Sequence, residues 1–124
     1  MFAEKFSPLI NSHPQEADAL RRVKDYLVDA EERHGERVFN IKLGPKRLFD
    51  IAQAGSRSRL ALVVRILIDA HVLERRVVVR SPTGGGLEFK SYLDLPDFVR
   101  DPYRDVDMEV TAENTEPIYL VTRQ

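Results

Sequence analysis

The sequence predicts an α+β domain: a leading helix, a short strand, two further helices and a β-hairpin, with a small C-terminal β extension. Three observations carry this. Apolar residues recur at helical spacing in three blocks before residue 72. The run Arg75-Arg76-Val77-Val78-Val79-Arg80, followed by the turn Pro82-Thr83-Gly84-Gly85-Gly86, marks a hairpin. The length, 124 residues with 43% hydrophobic side chains, suits one domain with a real core.

The elements follow in order. Residues 1–11 read as an irregular lead-in anchored by Phe2, Phe6, Leu9 and Ile10. Ser12-His13-Pro14-Gln15 has the form of a capping box, with proline in the first turn where its missing N–H costs little. The helix that follows, to about His34, places Leu20, Val23, Leu27 and Ala30 inward, and Gly35 ends it. Val38 to Ile41 reads as a short strand. Gly44-Pro45 opens a second helix, over about 45–54, with Leu48, Ile51 and Ala52 inward. Gly55 stops that helix, and Ser56 caps a third from about Arg57 to His71. Stepping 100° per residue from Leu60 puts Val63, Val64, Leu67 and His71 on its core face. The hairpin strands are then the arginine–valine run and Leu87 to Tyr92.

Composition removes several classes of activity. The net charge of −1 argues against a dedicated nucleic-acid binder, although residues 36–100 carry +5 between flanks of −2 and −4. Without cysteine there are neither disulfides nor thiolate metal sites. Glu4 and Lys5 interrupt any secretory signal, and no apolar run is long enough to span a bilayer, so a cytoplasmic protein is expected.

The stretch SRSRLALVVRILIDAHVLERR, with its capped helix and "-VLER-" step into a hairpin, resembles the winged helix-turn-helix superfamily. The resemblance covers about residues 14–92. It implies a winged-helix domain over 12–92 behind the lead-in 1–11, with 93–124 as the extension. Two later turns resemble the knuckles of a zinc ribbon stripped of ligands: Ser81-Pro82-Thr83-Gly84-Gly85 and Asp101-Pro102-Tyr103-Arg104-Asp105. With Ser81, Gly84, Asp101 and Arg104 in the ligand slots, the spacing matches that of metal ribbons. Only Asp101 is a ligand type, and one carboxylate does not hold zinc. What remains is a metal-free ribbon shape packed by Leu95, Phe98, Tyr103, Val110 and Tyr119, or a simple C-terminal hairpin on the wing. Met108 to Val110 and Ile118 to Val121 supply its closing strands.

No constellation for catalysis, cofactor or metal stands out. His13, His34 and His71 are far apart, and His71 reads as a core or boundary histidine. The triple glycine lacks the lysine and hydroxyl of a phosphate loop. Asp101, Asp105, Asp107 and Glu109 lack the pattern of a calcium loop.

The third helix is more informative. Its outer side carries Ser58, Arg59, Leu62, Arg65, Ile66 and Asp69. A DNA-reading helix carries base-edge donors there. Leu62 and Ile66 between Arg59 and Arg65 suit a protein groove instead, unless the N-terminal segment covers them. The expectation is a non-enzymatic interaction or adaptor module of a prokaryotic assembly, bound to a protein partner or to itself as a homodimer. The rival is a DNA-binding regulator using Arg57, Arg59 and Arg65 with the wing arginines. Lys46, Arg47, Arg57, Arg59, Arg75, Arg76 and Arg80 form its possible phosphate-contacting set; the leading reading expects weak, non-specific DNA binding at most.

Overall fold

Burial of the helical stripes decides the architecture. In a computed structural model, which describes residues 2–82, 84–101 and 104–123, four α-helices and a small antiparallel sheet share one main apolar cluster.

The chain opens with α1 (Phe2–Ser12), which packs on α2 (Ala17–His34). This corrects the irregular lead-in. Phe2 and Phe6, one helical turn apart, are both fully buried, and Leu9 and Ile10 pack against the same cluster. Their burial outweighs the donor that Pro8 removes from the helix. The capping box at Ser12 to Gln15 does not form, because α1 runs through Ser12 and a 3₁₀ turn covers Pro14–Glu16. Glu16 is the N-cap of α2, without a side-chain bond. Leu20, Val23, Leu27 and Ala30 are buried as their spacing requires. Gly35 ends α2 at φ 59°, where its N–H reaches the Glu31 carbonyl.

A 3₁₀ stretch, Gly35–Asn40, replaces the strand expected over 38–41. Its turn drives Val38 fully into the core and leaves only β1 (Lys42–Leu43) extended. Two helices follow, α3 (Pro45–Ala52) and α4 (Arg57–Asp69). The Ser56 hydroxyl accepts the Arg59 N–H at 3.1 Å, and Leu60, Val63, Val64 and Leu67 are buried. The core stripe ends there. His71 lies beyond the helix, exposed and at φ 60°, so it is not a core histidine. Its carbonyl accepts the Thr122 hydroxyl.

The remaining strands are β2 (Leu73–Arg80), β3 (Gly86–Phe89), β4 (Phe98–Asp101), β5 (Val106–Glu109) and β6 (Thr115–Val121). The return of the hairpin is therefore shorter than expected, and Tyr92 lies in a 3₁₀ turn, Tyr92–Asp94. The main sheet has the order β1-β6-β2-β3, while β4 and β5 pair separately. β6 lies against β2 from Leu73 opposite Val121 to Val79 opposite Thr115.

This corrects the boundary at residue 93. The last strand is not part of an extension; it is a central strand of the main sheet, and Tyr119 and Val121 belong to the main core. Residues 81–114 are an insert between the two central strands. Val77, Val78 and Val79 in β2 and Val99 in β4 are buried outside the main cluster.

Candidate functional site

An open cleft of about 1190 Å³ lies between the first turns of α3 and α4 and strands β2 and β6. Its apolar lining is Pro45, Phe49, Leu60, Ala61, Val64 and Tyr119. Four cations line it as well: Lys46 and Arg47 from α3, Arg57 from α4 and Arg75 from β2. None of the four has an ion-pair partner among the described residues. Two guanidinium groups lie over rings instead, Arg47 at 5.5 Å from the Tyr26 centroid and Arg75 at 5.8 Å from that of Tyr119. Of the two acids on the lining, Asp50 and Glu116, the second is engaged by Arg80. Gly44 caps α3 without a side chain to accept its first N–H groups.

The residues expected to contact nucleic acid therefore separate. Lys46, Arg47, Arg57 and Arg75 converge on the cleft, whereas Arg59 is exposed in the first turn of α4 and does not line it. Arg80 is bound to Glu116. Arg76 is half-buried beside Glu74, with its Nε buried and lacking a hydrogen-bond partner.

The outer face of α4 also differs from the expected interface. Leu62 is 50% exposed, but Ile66 is half-buried and packs against the main core. Arg65 faces Asp69 across 4.0 Å. Only Leu62, with Arg59 and Arg65 nearby, stands free as an apolar contact on this helix.

Three of the four slots singled out by spacing, Ser81, Asp101 and Arg104, meet at one carboxylate. Asp101, fully buried at the end of β4, accepts the Ser81 hydroxyl at 2.6 Å and Arg104 Nε at 2.7 Å, both on Oδ2. Its Oδ1 accepts the Arg104 N–H at 3.3 Å. The Gly84 N–H donates to the Ser81 carbonyl at 3.0 Å. The Ser81 hydroxyl thus ties the first turn to the second, whose own Arg104 neutralises the carboxylate. Thr83, Pro102 and Tyr103 lie outside the described residues, so the packing expected of Tyr103 does too. Of the other expected packing residues, Leu95 and Val110 are half-buried, Phe98 is exposed and Tyr119 belongs to the main core. On the outer side of β4 the Arg100 guanidinium, bonded by Asp105 and then Asp107, is held above its usual range.

The insert exposes what the sequence reading missed. Large apolar side chains stand out at Tyr92 (50%), Leu93 (97%), Phe98 (61%) and Val106 (45%). The signal was present in Tyr92-Leu93-Asp94-Leu95-Pro96-Asp97-Phe98, a proline-containing loop far richer in large apolar residues than a solvated loop requires.

Among the described residues no group of three or more His, Asp or Glu side chains is arranged to hold a metal, and no helix is long and apolar enough to cross a membrane. Comparison with protein-family models, with curated proteins and with solved structures finds no match to this chain.

Proposed function

We propose that this chain is a non-enzymatic winged-helix module of the cytoplasm that docks protein, serving a prokaryotic assembly as an adaptor. The order helix, short strand, two helices and strand supports the winged-helix reading, with β1, β6 and β2 as its three-stranded sheet. In this reading the wing is the enlarged insert 81–114. The insert itself is read as a ribbon in which the buried Ser81–Asp101–Arg104 bridge stands where a metal would.

One observation carries the functional reading. Of five large apolar side chains left exposed among the described residues, four sit on the insert and the fifth, Leu62, sits on α4. A side chain such as Leu93, almost wholly in water, gains about 1.5–3 kcal/mol when a partner covers it. α4, by contrast, offers Ala61, Leu62 and an Asp69-engaged Arg65 where a DNA reader offers base-edge donors.

A second reading, DNA binding, is favoured by the four unpaired cations of the cleft. An anisotropy titration with labelled duplex separates the two. The interaction reading gives only salt-sensitive, sequence-indifferent binding, on the order of 10⁻⁴ to 10⁻⁶ M near physiological salt. Sequence-specific binding in the nanomolar range overturns it.

A further inference from the structure

We infer that the insert of one copy docks on the basic cleft of another, joining chains head to tail. The inference rests on the protein-docking reading and names the partner as a second copy of this chain.

Two surfaces of the molecule are complementary in charge and in apolar character. The insert, residues 81–114, holds eight acidic against three basic residues, net −5, which leaves +4 on the rest of the chain. It also carries Tyr92, Leu93, Phe98 and Val106, all exposed. Asp94 and Asp97, exposed beside Leu93 and Phe98, are in no ion pair among the described residues. The cleft answers with Lys46, Arg47, Arg57 and Arg75 around Phe49, Leu60 and Val64.

A nucleic acid matches this cleft less well. Duplex is read by elements that protrude into its grooves, and the cleft is recessed. Single strands need open aromatic faces for stacking. Tyr119 is buried with Arg75 over its ring, leaving Phe49 as the one aromatic not covered by a cation. Apolar side chains flanked by carboxylates fit both parts of the lining. Insert and cleft are different surfaces, so the contact either closes reciprocally as a two-fold dimer or propagates into rings or chains.

Sedimentation velocity of the full chain tests this, over a concentration series at low and high salt. The expected result is concentration-dependent association, to a dimer or beyond, that weakens as salt screens the charges. Two variants then break opposite surfaces. Lys46→Glu with Arg57→Glu alters exposed residues in first helical turns, where acids are tolerated. Leu93→Ser with Phe98→Ser alters exposed apolar residues of the insert. Circular dichroism confirms that both fold. Each alone associates at least about tenfold more weakly. Mixed together, they form a heterodimer and nothing larger, since only one cleft and one insert remain intact. A wild-type chain that stays monomeric, or variants that associate like wild type, overturns the inference. Monomeric behaviour leaves the docking reading standing, because that reading is tested separately, by duplex titration and by what position 93 meets.

Discussion

The Ser81 hydroxyl donates a 2.6 Å hydrogen bond to Oδ2 of Asp101, joining the start of the insert to the end of β4. The same oxygen accepts Arg104 Nε at 2.7 Å. Asp101 is fully buried, so its charge depends on these donors. Ser81→Ala should destabilise the chain by about 1.5–3 kcal/mol, the range for a hydrogen bond to a charged group. Asp101→Ala should cost more and Arg104→Ala less, since the arginine side chain is 42% exposed. Urea denaturation gives the order; equal midpoints for all three would contradict the role of the bridge.

A chelator should leave the thermal transition unmoved. The two turns are joined through Asp101 by protein donors. A shift of several degrees on adding EDTA would show that a metal holds the fold.

Phe6→Ala should cost about 3–5 kcal/mol, as for other buried aromatics, because Phe6 is fully buried on α1. Were residues 2–12 a loose lead-in, the substitution would change little. Thermal unfolding of this variant decides between the two.

Leu62 and Ile66 should part company. Leu62→Asp changes a half-exposed residue and should leave stability within about 0.5 kcal/mol. Ile66→Asp places a charge against the main core and should cost well over about 1 kcal/mol. Similar melting temperatures for both variants would mean that Ile66 is a surface residue after all.

Local pattern made much of this fold legible, and non-local pairing hid the rest. The stripe Leu20, Val23, Leu27, Ala30 and the capped helix at Ser56 follow from spacing and hydrogen-bond chemistry within a few residues. The place of β6 does not. Ile118 to Val121 reads as a strand, but nothing nearby in sequence says that it pairs with Leu73 to Val79 instead of with β5. The helix over Phe2–Ser12 was masked by Pro8, whose local cost is outweighed by the burial of Phe2 and Phe6 against distant residues. Helical angle alone put Ile66 on the outer face, yet a long side chain at the edge of a stripe still reaches the core. Of the slots Ser81, Gly84, Asp101 and Arg104, the Ser81 hydroxyl meets the Asp101 carboxylate across the two turns, while Gly84 and Arg104 bond within their own turns.

The docking reading is tested most directly by site-specific photo-crosslinking from position 93 in the cell of origin. A benzophenone amino acid replaces Leu93, the most exposed large apolar residue of the described chain. Position 32, an exposed glutamate on α2, serves as control. A discrete covalent adduct between protein chains is expected from position 93 and none from position 32. An adduct of two copies has twice the 14.3 kDa chain mass, and an adduct with another protein has some other mass. Position 93 yielding no protein adduct, or yielding nucleic acid, would contradict the account.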